Sequence, residues 1–298
     1  MSARARPVSR PVSTFSVVAL DSTTGLLGVA VASKFLAVGA LVPWARAGAG
    51  AVATQSYVNT TFGPRALEML ATGSDADGVL QTFRATDNEI HLRQIGVVDA
   101  GGRAVSFTGE GCHAWAGGVA GRDFAAQGNL LAGPHVVEEM IRALQGRADL
   151  PFPERLGLAL LAGDRVGGDR RGRQSAALLV VGEGRGYGGF NDRWIDLRVD
   201  DHADPVPELL RLLELHRLYL DRPSAPPHPL SEPEITWVQR VLVGAALYDG
   251  EVTGAWDQRT EAALQSLYGI ENLEERWVGG PAVDPVAWEY LKRRFADT

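Results

Sequence analysis

With 298 residues, 45% of them hydrophobic and 22% charged, the chain can build one large core and a second small one, and disorder is excluded as its general state. A formal charge of −7 argues against nucleic acid as the main partner, because binding phosphates needs a basic face. No apolar run approaches the roughly 20 residues of a membrane-spanning helix, so no membrane partner is expected, and the single cysteine, Cys112, fits a reducing cytoplasm.

Residues 1–13 alternate small residues with Arg and Pro and precede a strand pattern, not an apolar signal core; a mobile leader is expected. The runs 14–21 and 28–34 read as two strands joined by a turn in which Gly25 takes a positive φ. Apolar residues nearly fill the second run, which predicts a buried central strand. Its polar end brings Lys34 towards Thr14 at one sheet edge, where a partly desolvated lysine can activate a hydroxyl.

Glycines and alanines between 35 and 55 suit packed strands and a substrate loop. Helices are expected over 63–70 and 74–83, and a strand hairpin over 93–98 and 104–108. Residues 109–118 and 124–133 set polar groups among Gly and Ala, as a site needs when a ligand approaches the backbone. Helices follow over 134–146 and 156–161. A charged glycine loop, 162–174, then empties into a buried strand over 175–181 and puts Asp169, Arg170, Arg171 and Gln174 at its mouth. A strand over 194–199 and an amphipathic helix over 207–220 complete the domain. The proline-rich stretch 221–233 reads as an extended linker. Beyond it, short helices over 237–242 and 260–267 flank a turn at 248–254, with Trp237, Tyr248, Trp256 and Trp288 expected in a small core.

Competing chemistry is discounted on spacing. Cys112 and His113, adjacent on a strand, would point to opposite faces. Asp200, Asp201 and His202 read as solvated charge, and His91, His135, His216 and His228 complete no metal-ligand spacing. Neither a metal nor a cofactor is expected.

Four runs, TFSVVA at 14–19, GVAVASKFLAVG at 28–39, QGN at 127–129 and GDRRGRQSA at 168–176, resemble the domain of unknown function 1028 family, grouped with the N-terminal-nucleophile (Ntn) hydrolases. The resemblance covers about residues 14–220 and implies an α+β fold, a four-layer αββα sandwich. The last segment, 234–298, is similar to a peptidoglycan-binding-like domain through VQRVL at 238–242, YDGEVTG at 248–254 and WDQRTEAAL at 256–264. It implies a small helical unit with glycan as a candidate partner.

For the first domain the resemblance implies amide hydrolysis. Thr14 would be the nucleophile with its own α-amine as base, Lys34 would stabilise charge at the hydroxyl, Asn129 or neighbouring amides would hold the oxyanion, and Asp169 would orient the amine. Ser33, Gln55, Arg170, Arg171 and Gln174 would contact a small-molecule amide substrate, with Arg170 or Arg171 as a fork for a carboxylate. An assembly of identical chains is also expected. Many relatives begin Met-Thr. Here thirteen residues precede Thr14, so Ser13-Thr14 is cut, the chain starts later than written, or Thr14 has no amine, in which case Lys34 serves as base or the protein is not a hydrolase. The alternative is a non-catalytic module that binds a small molecule or wall fragment on the same fold.

Overall fold

The computed structural model describes residue 12, residues 14–223 and residues 225–296. Two compact units divide the chain, residues 1–213 and 214–298. The expected mobile leader lies outside the described residues except at Val12, and there the expectation fails. Val12 is buried, and its backbone N–H and C=O pair with Ser56.

The first unit is α+β, with two antiparallel sheets. β1 (Thr14–Asp21) and β2 (Leu26–Ser33) form the predicted hairpin, in which Gly25 has φ 73° and the Asp21 carboxylate accepts from Thr23 N–H and Thr24 Oγ1. β3 (Pro43–Arg46), β4 (Gly50–Ser56), β5 (Arg93–Asp99) and β6 (Ala104–Thr108) make a four-stranded sheet in that order. β7 (Gly117–Gly121), β8 (Phe124–Gly128), β9 (Ser175–Val181) and β10 (Arg193–Val199) join the first hairpin in a six-stranded sheet, order β10-β9-β2-β1-β8-β7. β2 is central, as its apolar run requires.

Two strand pairs were not expected as such. β4, β7 and β8 are rich in Gly and Ala, which have little intrinsic strand preference, and β3 is only four residues long. Their reason lies in packing: a Cβ on Gly50 would come within 2.5 Å of the Val98 carbonyl, and one on Gly118 within 2.2 Å of Ser106 Oγ. Small residues let these strands close on their neighbours.

α1 (Phe62–Ala71) and α2 (Ala76–Thr86) cover the four-stranded sheet, where Phe62, Ala66, Val79 and Phe83 pack on Val52, Ile95 and Val97. α3 (His135–Gly146), α4 (Phe152–Arg165) and α5 (Pro205–Leu220) cover the six-stranded one, where Met140, Leu156, Leu160 and Leu209 meet Phe15, Val17, Ala30 and Leu178. A third cluster joins the two sheets through Val18, Val29, Val31 and Leu179 on one side and Ala51, Ala53 and Val98 on the other. β1 therefore turns Phe15, Val17 and Ala19 to the helices and Thr14, Ser16 and Val18 to the facing sheet.

In the second unit β11 (His228–Pro229) pairs with β12 (Ala282–Val283), so part of the expected linker is built into structure. α6 (Glu232–Gly244), α7 (Gln258–Ile270) and α8 (Pro285–Arg294) enclose a core of Leu242, Leu264, Leu267 and Tyr268. Tyr248 and Trp288 are buried in it, and Trp237 and Trp256 pack against it. Among the described residues no helix is long and apolar enough to cross a membrane.

The start of α6 carries a pH signature. Glu234 accepts from Ser231 Oγ at 2.6 Å and Ser231 N–H at 2.8 Å and pairs with His228 Nε2 at 2.8 Å. These bonds to Ser231, then His228, pull its pKa from 4.5 down to about 2. A depressed carboxylate contributes stability above its unfolded pKa and loses it as pH falls through the folded one. The stability difference between the protein and Glu234→Gln, read by urea unfolding, should be flat above pH 4.5 and shrink towards pH 2. A difference that stays level down to pH 2 would contradict this origin.

Candidate active site

Thr14 opens β1 opposite Ser33, the last residue of β2. Its side chain is 0% exposed, and Oγ1 donates to the Val12 carbonyl at 2.9 Å and lies 3.4 Å from Ser33 Oγ. The Thr14 carbonyl accepts from Asn129 N–H at 3.0 Å and Gln55 Nε2 at 3.3 Å. Four of the residues singled out from sequence, Thr14, Ser33, Gln55 and Asn129, thus meet at one end of the paired sheets.

Lys34 does not join them. The expectation of a buried lysine against the Thr14 hydroxyl is corrected: Lys34 is exposed and its Nζ donates to the Arg173 carbonyl at 3.1 Å. Register explains it, since Ser33 is the residue across from Thr14 and the next residue turns to the opposite face. Asp169 is corrected too. Its Oδ1 accepts from Arg171 N–H and Nε, and its Oδ2 from Lys34 N–H at 3.0 Å and Arg171 Nη2 at 2.7 Å. With its backbone bridged to Leu131, Asp169 fastens the charged loop to the end of β2 and does not orient Thr14.

Arg171 is accordingly clasped by a carboxylate of its own chain, whereas Arg170 is exposed. Gln174 donates its side-chain amide to Asp201 and its backbone N–H to the Ser33 carbonyl. Through Lys34 N–H and the Ser33 carbonyl, Asp169 and Gln174 brace the end of β2.

Sequence reasoning missed the polar hub between the sheets. Gln94 Oε1 accepts from Gln55 Nε2 at 2.8 Å and Asn129 Nδ2 at 2.9 Å, and Gln94 Nε2 donates to Thr108 Oγ1, Gly117 O and Gly128 O. Ser16 Oγ donates to Gln55 Oε1 and accepts from Gln127 Nε2, each at 2.7 Å. Ser16, Gln55, Gln94, Gln127 and Asn129 are wholly buried, so every bond in the network counts at low dielectric. Asn129 Oδ1 and Gln127 Oε1 remain buried without a partner. Such atoms are costly in a fold and useful in a site. The available signal was a polar side chain on an otherwise apolar strand face, at Ser16 and Gln94.

The discounted groups are accounted for. Cys112 and His113 lie in an irregular loop rather than on a strand; Cys112 Sγ points at the Arg93 carbonyl, and His113 Nε2 is 3.2 Å from Tyr57 Oη. Burial pushes the Cys112 thiol pKa up, which keeps it protonated. Asp201 accepts from Gln174, and His202 Nδ1 accepts from Asp204 N–H. Among the described residues no group of three or more His, Cys, Asp or Glu is placed to hold a metal ion.

No curated protein matches the chain. The crystal structure of protein SPO2555 from Silicibacter pomeroyi, described as family-model DUF1028, is 31% identical, with a TM-score of 0.62 over 69% of this chain and 89% of that one. A model described as "Putative peptidoglycan binding domain" matches residues 220–291. The model "Family of unknown function (DUF1028)" matches residues 14–209, which span both sheets and the Thr14 cluster, and the chain belongs to that family.

Proposed function

We propose that residues 14–220 are a four-layer αββα sandwich of the Ntn-hydrolase kind and that the protein is an amidohydrolase cleaving a C–N bond in a small amide, carbamoyl or γ-glutamyl compound. The layering is supported by the three apolar clusters, which run helices, sheet, sheet, helices. The observation that carries the activity is the seating of Thr14. It is the first residue of β1, its hydroxyl lies beside Ser33, and its carbonyl is clamped by Asn129 and Gln55.

In this reading, cleavage of Ser13–Thr14 frees an α-amine, whose usual pKa of roughly 7.7–8.0 suits a general base near neutrality. The amine takes the Oγ1 proton as the oxygen attacks the substrate carbonyl. Asn129 holds the oxyanion with the Nδ2 hydrogen not given to Gln94, and its unpartnered Oδ1 accepts from an N–H of the amine. The proton passes to the departing amine, and water then hydrolyses the Thr14 ester and restores the hydroxyl. Ser33, not Lys34, is the neighbour of the nucleophile.

N-terminal sequencing and intact mass test it. A mature chain beginning at Thr14 is expected, with turnover of small amides abolished by Thr14→Ala. Residues 1–13 intact in an active preparation would overturn the amine-base mechanism. A second reading, a binding module without chemistry, is favoured by one observation: the Thr14 hydroxyl is wholly buried and already satisfied by Val12. For the segment 234–298, the burial of Tyr248 and Trp288 supports a packing module over an aromatic sugar platform.

A further inference from the structure

A cavity of about 760 Å³ opens between the loop leading from β4 into α1 and the loop leading from α2 into β5. Tyr57, Asn59, Thr61, Arg65, Asp87 and Glu89 are among its lining. None of these residues has a part in the Thr14 chemistry, and the walls differ in polarity.

On one wall α1 presents its N-terminus. Thr61 makes no side-chain capping bond there and the first turn holds no acidic residue, so the positive end of the helix meets only the neutral oxygens of Asn59, its Oδ1 on Thr61 N–H and its carbonyl on Phe62 N–H. Arg65, just beyond that turn, lies with its guanidinium carbon 5.4 Å from the centroid of the Phe83 ring and adds a full positive charge.

The other wall is negative. α2 ends at Thr86, and Asp87 and Glu89 follow at its C-terminal pole. Both carboxylates bind Arg93, at 2.9 and 2.6 Å, and Arg93 also donates to the Tyr57 carbonyl. Two carboxylates against one guanidinium leave a net negative charge. The Arg93 side chain is 5% exposed and serves as a strut, whereas Glu89 is 49% exposed and reaches the cavity. Asn59, which accepts from Thr61 N–H and Oγ1, braces the loop between β4 and α1.

We propose that this cavity binds a small zwitterion, from an amino acid to a tripeptide in size, with its carboxylate on Arg65 and its ammonium on Glu89. A cavity with one cationic and one anionic wall excludes neither charge of such a ligand and rewards both, whereas a simple anion or cation meets one repulsive wall. The volume exceeds that of one amino acid and accommodates a short peptide. The hydroxyls and amides around it offer polar contacts to the backbone in between.

Calorimetric titration of the full chain with glycine, diglycine and triglycine tests this, beside triglycine amide, which lacks the carboxylate, and N-acetyl-triglycine, which lacks the ammonium. At least one zwitterion should bind, and blocking either end should weaken binding about tenfold or more, the scale of one lost charge-assisted hydrogen bond. Arg65→Ala should erase the preference for the free carboxylate and leave the preference for the free amine. Glu89→Gln should do the reverse. Each preference is a ratio within one variant, so a general loss of stability cannot mimic it. Absence of binding by all three zwitterions, or equal binding of the blocked peptides, would overturn the proposal, as would variants that keep both preferences. Because no turnover is read, its failure and that of the amidohydrolase reading are distinguishable.

Discussion

A chain made to begin at Thr14 should turn over a panel of small amide, carbamoyl and γ-glutamyl compounds at least about 100-fold faster than the same chain kept uncut, the lower bound for a positioned general base. In the uncut chain the nitrogen of Thr14 is an amide and cannot take a proton. Its hydroxyl is 0% exposed and spends its hydrogen on the Val12 carbonyl at 2.9 Å. Removing the residues before Thr14 changes all three conditions together: it creates an amine, uncovers the oxygen and takes away the Val12 carbonyl that holds the hydroxyl hydrogen. The gain should be confined to pH values at which the amine is neutral and should vanish with Thr14→Ala in the shortened chain. Release of product amine over time is the measurement. Equal measurable rates from the two forms would overturn the amine-base mechanism, and no rate from either would sink the hydrolase reading.

Asp284→Ala should destabilise the second unit by about 3–5 kcal/mol, the cost of stripping one partner from a buried ion pair. Asp284 Oδ1 accepts from Arg276 Nη1 at 2.7 Å and from the backbone of Val286 and Ala287, so it pairs a charge and caps α8 at once. Side-chain exposure is 4% for Arg276 and 1% for Asp284, which leaves solvent no access to screen the pair. Arg276 also donates to the carbonyls of Leu218 and Arg217, which fixes it in place when Asp284 is gone. The double variant Arg276→Met with Asp284→Ala should lose less than the single carboxylate deletion, since no uncompensated charge remains. Urea unfolding followed by tryptophan fluorescence would measure both, and a cost under about 1 kcal/mol for Asp284→Ala would mean that the pair is effectively solvated.

The strands and helices that the sequence made legible are those with their own local signals. β1 and β2 carry apolar runs around a Gly25 turn, and α3 has a clear apolar face ending at Gly146. β4, β7 and β8 carried no such signal, because Gly and Ala become strand residues only when a neighbouring strand or side chain needs the space they leave. The candidate site divides in the same way. Thr14, Ser33, Gln55 and Asn129 could be picked out as polar residues at strand ends or among glycines. Gln94 offered only the weaker signal of a polar residue in an apolar strand, and its amide matters because Gln55 and Asn129, 39 and 35 residues away in sequence, meet it between the sheets. Lys34 was misplaced because a pairing of strand ends is blind to which face each end presents.

By itself the sequence determined the strand hairpin at Thr14, the helical covers, the change of character after residue 220 and the family, since each is written in short-range periodicity or in contiguous motifs. Only the tertiary structure decided that Ser33 rather than Lys34 faces Thr14, that Asp169 fastens a loop, that Val12 lies over the hydroxyl, and that Arg65 and Glu89 share a cavity. Those outcomes depend on strand register and on the packing of distant segments, and neither is encoded in any stretch of chain taken alone.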